Sequence, residues 1–111
     1  MTAVARKLNE IKHRSNISAN SIAEILGTSP QTLSRWAKGK NEPQQAQLER
    51  LLEFDYLTEQ LSEFFEPADV RIWLLAPHAQ LNGERPADLL TQGRQKEVLA
   101  VIARLRDSAY V

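Results

Sequence analysis

Two short apolar-periodic segments meet at Gly27, and this junction limits the chain's possible folds more than any other feature. Before it, Ile22, Ile25 and Leu26 recur at helical spacing behind Ser18, a residue suited to cap a helix. After it, Ser29 is placed as an N-cap. Pro30 follows at the first helical position, where a missing N–H costs nothing. Leu33 and Trp36 then supply an apolar face up to Gly39. Two helices joined so tightly must cross steeply, which requires a small residue at their contact and a turn residue that tolerates positive φ. Ala23 and Gly27 meet those two needs. The segment from Asn20 to Gly39 therefore reads as a helix-turn-helix.

The remainder is also expected to be helical, since no stretch alternates with a period of two. Val4, Leu8 and Ile11 predict a first helix over about Thr2 to His13, broken by Ser15 and Asn16. The third helix is expected to run to about Lys38, with a polar linker from Lys40 to Pro43. A long helix is predicted from about Gln44 to Phe65, with Leu48, Leu51, Leu52, Leu61 and Phe64 along one side and Leu57 helping. Pro67 opens a helix carrying Val70, Ile72, Trp73 and Leu74, and Pro77 stops it. A loop from Ala76 to Arg85 contains the turn signal Asn82-Gly83. Pro86 opens a short helix through Leu89 and Leu90 that Gly93 closes. The last helix is expected over about Gln95 to Asp107, with Val98, Leu99, Ile102 and Leu105 inward and Val101 widening the stripe.

The chain has 111 residues, 42% hydrophobic and 25% charged, with room for one compact domain or two very small ones. A core of that size gains from dimerisation. The absence of cysteine removes disulfides, thiolate metal sites and thiol nucleophiles together. No apolar run is long enough to span a bilayer, and Met1 to Lys12 lacks the apolar stretch of a signal peptide. A cytoplasmic protein is expected. Net charge is zero but unevenly spread. Residues 1–50 hold eight Lys/Arg against four acids, giving +4, and residues 51–111 hold six against ten, giving −4. The split suggests one surface for an anionic polymer and another for something else; the alternative is two solvated faces of one domain.

The segment around Gly27, ending in Trp36-Ala37-Lys38-Gly39-Lys40, resembles the Xre/Cro-type repressor family over about residues 5–52. In that family the second helix lies in the major groove. The resemblance brings Pro30, Gln31, Thr32 and, one turn later, Arg35 to the base edges. Gln31 has the chemistry for an adenine edge and Arg35 for a guanine edge. Ser29, Ser34, Lys38 and Lys40 are placed for phosphates, which add affinity without sequence information. Pro30 departs from the family's usual polar residue and removes one base contact. The alternative is that Gln31 and Arg35 are ordinary surface residues on a relic module.

The second half carries no catalytic constellation. Glu63, Glu66 and Asp69 read as solvated acids near a helix N-terminus, and His13 and His78 have no partners at metal-ligand spacing. No enzyme activity, metal or cofactor is expected. A second resemblance enters here. Val70 to Trp73, then Pro77 to Leu90 with Leu81-Asn82-Gly83, Arg85-Pro86 and Asp88-Leu89-Leu90, then Val98 to Ile102, are similar to the C-terminal domain of the MbcA/ParS/Xre antitoxins of RES–Xre toxin–antitoxin systems, over about residues 45–111. Asn82 stands as an insertion, and the tail Asp107-Ser108-Ala109-Tyr110-Val111 lacks the glycine frequent in the family. The resemblance implies an all-α chain with a helix-turn-helix DNA-binding domain (1–43) and a helical toxin-binding and dimerisation domain (44–111). It implies a RES-domain toxin that degrades NAD⁺ as partner, with the C-terminal segment covering the entrance of its active site, and operator DNA through which the helix-turn-helix represses its own operon. A homodimer is expected from the small core and from paired half-sites, and no membrane contact is expected from the short apolar runs. Arg104, Asp107, Ser108, Tyr110 and Val111 become the implied toxin contacts. Two rivals stand beside this reading: a stand-alone homodimeric repressor, and a structural adaptor.

Overall fold

The structure, a computed structural model, describes residues 1–109 and contains helices and turns, with no strand among the described residues. Seven α-helices follow in order: α1 (Ala3–Ser15), α2 (Ala19–Leu26), α3 (Pro30–Ala37), α4 (Gln45–Ser62), α5 (Pro67–Leu75), α6 (Pro86–Thr91) and α7 (Gln95–Ala109). A single 3₁₀ turn (Ala79–Leu81) lies between α5 and α6.

Helix boundaries follow local chemistry. Thr2 caps α1, its hydroxyl accepting from Ala5 N–H at 3.1 Å. Lys12, His13 and Arg14 fill the last turn, where positive charge meets the negative end of the helix dipole. The helix runs on through Ser15, expected to break it, because the buried Ser15 hydroxyl donates to the Ile11 carbonyl at 2.6 Å. Asn16 then adopts the left-handed conformation (φ 55°) and ends the helix. The loop expected between Ala76 and Arg85 holds the 3₁₀ turn, whose Leu81 is buried, and Asn82 closes it at φ 57°. His78 faces Trp73 with ring centroids 4.7 Å apart, and its Nε2 lies 2.8 Å from the Trp73 carbonyl oxygen.

One hydrophobic cluster runs through the described residues, from Leu8 and Ile11 of α1 to Val98 and Ile102 of α7. Helix α4 is its axle: it touches α1, α2, α5 and α7. A helix packed on several sides has no simple apolar stripe, so the expected inward set of α4 is partly wrong. Leu51, Leu57 and Leu61 are fully buried and Phe54, not anticipated, joins them; Leu52 points outward. Leu51 and Leu52 point about 100° apart around the helix, and only the direction of Leu51 is covered. The helix stops at Ser62, and Phe64 follows in a turn, half-buried. Ile72, also expected inward, is 60% exposed because it lies across the helix from buried Val70 and Leu74. In α7, Val98, Val101 and Ile102 are buried while Leu99 and Leu105 are half-buried.

Asp55 of α4 is 8% exposed and sits between two cations of α1. Lys7 Nζ donates to one carboxylate oxygen at 2.9 Å. Arg14 donates to the other at 2.8 Å and to the Asp55 carbonyl at 3.2 Å. This triad and the apolar cluster fix α1, and through it the helix-turn-helix, on the rest of the molecule.

Candidate nucleic-acid and partner interfaces

The crossing of α2 and α3 is built as their residues require. Gly27 takes φ 72°, its N–H bonds to Glu24 O at 3.1 Å, and Thr28 N–H bonds to Ala23 O at 2.9 Å, so a left-handed residue ends α2. Ala23, Leu33 and Trp36 are all buried in the same cluster. Ser29 caps α3, its hydroxyl accepting from Thr32 N–H at 3.1 Å and donating to the Thr32 hydroxyl at 3.0 Å.

That cap divides the eight residues expected at DNA. Pro30, Gln31, Ser34, Arg35, Lys38 and Lys40 line one shallow concavity of about 500 Å³ on the outer face of α3. All six are exposed. Ser29 and the half-buried Thr32 stand apart and are engaged with each other. The concavity therefore gathers three cations with one amide and one hydroxyl, and none of its lining residues is acidic. Such a face suits a polyanion whose edges offer both acceptors and donors. Gly39, also at positive φ (71°), turns the chain so that Lys38 and Lys40 flank this face.

At the other end, α7 extends two residues beyond its expected limit of Asp107. Arg104, Asp107 and Ser108 are exposed on its last turns. Arg104 is tethered: its Nε donates to Gln80 Oε1 at 3.3 Å, so the 3₁₀ turn orients it. Arg106, not anticipated, pairs with Glu63 of the segment after α4 at 3.2 Å. Tyr110 and Val111 lie outside the described residues. Among the described residues no group of three or more His, Cys, Asp or Glu side chains has the geometry to hold a metal ion. No helix among the described residues is long and apolar enough to cross a membrane.

Comparison with known proteins accounts for both halves. Residues 3–55 match a helix-turn-helix family, and residues 60–107 match the Xre/MbcA/ParS antitoxin C-terminal toxin-binding domain. The mycobacterial cidal antitoxin MbcA of Mycobacterium tuberculosis, like that of Mycobacterium bovis, is 29% identical over 98 residues, covering 88% of this chain and 87% of the relative. The probable mycobacterial cidal antitoxin Rv3188 of M. tuberculosis is 31% identical over 90 residues, covering 81% and 76%. The fold superposes on a chain from the crystal structure of the M. tuberculosis MbcT–MbcA toxin–antitoxin complex with a TM-score of 0.84 and 26% identity, across the full length of both chains. With a helix-turn-helix at Gly27 and a helical domain behind it that matches the toxin-binding module, the chain belongs to the Xre/MbcA/ParS family of antitoxins.

Proposed function

We propose that this antitoxin neutralises a RES-domain, NAD⁺-degrading toxin by covering the entrance of its active site with the C-terminal segment, and represses its own operon through α3. The supporting observation is likeness over the whole chain to a protein solved in a toxin–antitoxin complex. Arg104, Asp107 and Ser108 form the described part of the toxin contact, and Tyr110 and Val111 complete it. A terminal carboxylate suits basic groups that otherwise hold a phosphate, and an aromatic side chain with a polar tip suits a desolvated anchor. Gln31 and Arg35 read bases, with Pro30 and Thr32 beside them at the base edges, while Ser29, Ser34, Lys38 and Lys40 hold phosphates. The division is functional: residues 1–43 serve DNA, residues 44–111 serve the toxin and dimerisation, and α4 braces both. The homodimer acts in the cytoplasm and reads two half-sites about one DNA turn apart.

The test is co-expression with a RES-domain toxin while cellular NAD⁺ is measured. The full chain restores NAD⁺ and growth and co-purifies with the toxin. A chain truncated after Arg106 fails to neutralise yet still retains its operator. If the truncated chain protects cells as well as the full chain, the masking role of the tail is refuted. If the full chain retains the operator and never associates with a toxin, the stand-alone repressor takes its place.

A further inference from the structure

Helices α4 and α7 lie side by side and run in the same direction. Gln95 of α7 hydrogen-bonds to Glu53 of α4, and further along Arg106 reaches Glu63, just past the end of α4. Between these two rungs lies a groove of about 340 Å³, with Tyr56 and Gln60 on the α4 wall and Leu99 and Ala103 on the α7 wall. Arg106 and Asp107 line it near the end of α7.

The walls set what the groove can take. Tyr56 is 50% exposed, Leu99 is half-buried, and the small Ala103 leaves room between them, so the middle favours an apolar side chain. Arg106 is already paired with Glu63, so that cation asks for no anion from outside. Gln60 is different. Its side chain is 9% exposed, and its buried Oε1 has no hydrogen-bond partner. A buried acceptor left in that state costs free energy that an arriving donor would recover. A half-turn of the amide about its last bond exchanges oxygen and nitrogen, so a donor can be met without moving the helix. An apolar side chain and a hydrogen-bond donor delivered together describe a segment of folded protein.

The position of the groove names that protein. Every lining residue except Tyr56 lies within residues 60–107, the match to the toxin-binding domain. Asp107 belongs also to the toxin contact proposed above, so groove and tail form one continuous surface along α7. We infer that the toxin-binding surface reaches back past residue 60 onto α4, and that the groove seats a segment of the toxin. An apolar side chain enters between Tyr56 and Leu99, and a donor meets Gln60. This rests on the proposed toxin partner and deepens it: the tail masks the enzyme, whereas the groove anchors the antitoxin and selects which toxin it fits.

Isothermal titration of the full chain with a purified RES-domain toxin provides the test. Ala103→Glu places a charge in the groove and weakens binding on the order of 100-fold; Tyr56→Ala weakens it about 10-fold. Both positions are exposed in the single chain, so far-UV circular dichroism stays unchanged. Gln60→Leu also weakens binding about 10-fold, yet raises the thermal midpoint of the free chain, because an apolar side chain of similar volume replaces a buried acceptor without a partner. A purely structural Gln60 would move the midpoint and leave the affinity alone. Wild-type affinity in any of the three variants overturns the inference while the toxin partner stands. A wild type that binds no RES-domain toxin overturns both. Variants that change the mass of the free chain in sedimentation equilibrium overturn it too, and give the groove to a second copy.

Discussion

Replacing Asp55 by alanine tests how the helix-turn-helix is held on the body of the molecule. Among the described residues Asp55 is the one anion shared by Lys7 and Arg14, and its side-chain bonds cross from α4 to α1. A hydrogen bond to a charged group contributes about 1.5–3 kcal/mol when well buried. The Lys7 side chain is 35% exposed, so its limb is screened and contributes only about 0.5–1 kcal/mol. The Arg14 side chain is 21% exposed, so its bond to the carboxylate contributes about 1.5–2 kcal/mol, while its bond to the Asp55 backbone carbonyl survives the substitution. Both cationic heads can rehydrate once the carboxylate is gone, which keeps the loss below the 3–5 kcal/mol or so of a fully buried pair. Asp55→Ala is therefore expected to cost about 2–3 kcal/mol, or a fall in melting temperature of about 10–15 °C. Urea unfolding followed by circular dichroism at fixed protein concentration measures it, with an unchanged slope showing that the mechanism of unfolding is preserved. Lys7→Ala costs its limb in the wild type and almost nothing in the Asp55→Ala background, whereas Arg14→Ala keeps a smaller residual cost there, because its bonds to the Asp55 backbone carbonyl and to Glu10 remain. A cost under about 0.5 kcal/mol for Asp55→Ala, or single and double variants that simply add, would falsify the triad as a clamp.

At the DNA face, Gln31→Ala and Arg35→Ala each remove about 1–3 kcal/mol of discrimination between operator sequences, read by competition binding; unchanged sequence preference sinks their role as readers. Lys38→Ala weakens all sequences alike and lowers the salt slope by about one, visible in binding isotherms at several ionic strengths. Gly27→Ala is expected to cost more than Gly83→Ala in urea midpoint. Both have positive φ, worth about 1–2 kcal/mol, but a Cβ at Gly27 would lie 2.9 Å from Arg50 Nη1 while none lies within 4 Å at Gly83. Arg50 donates to the Ile25 carbonyl at 3.3 Å, so its displacement also loosens the end of α2. Toward acid pH, Asp88 and Glu97 matter. Hydrogen bonds from Arg85 and Arg94 hold their carboxyls below the ordinary 3.8 and 4.5. A carboxyl lowered on folding stabilises at neutral pH, and that contribution disappears as pH falls through the lowered values. Both side chains are about half exposed, so the contribution is small; Arg85→Ala together with Arg94→Ala should flatten the acid limb of a stability profile and leave the neutral region almost unchanged, and an unaltered acid limb counts against it.

What the amino-acid order determined alone was most of what near neighbours set. Ser18, Ser29 and Pro30 start their helices, and Gly27, Gly39 and Gly93 sit at positive φ where a helix or its last turn must end. The packing trio Ala23, Leu33 and Trp36 was readable for the same reason, since a tight turn leaves only one way to bury three apolar residues. Tertiary structure decided what depends on partners far along the chain. Helix α4 meets neighbours on several sides, so its periodicity gave no sign that Phe54 is core and Leu52 is surface. Asp55 looked like any helix acid until α1 brought Lys7 and Arg14 across a separation of more than forty residues. Glu63 and Arg106 are the same case: they pair only because the fold lays the end of α4 beside α7. Local rules act through backbone geometry and short-range hydrogen bonds, whereas burial and pairing depend on which surfaces the whole chain brings into contact.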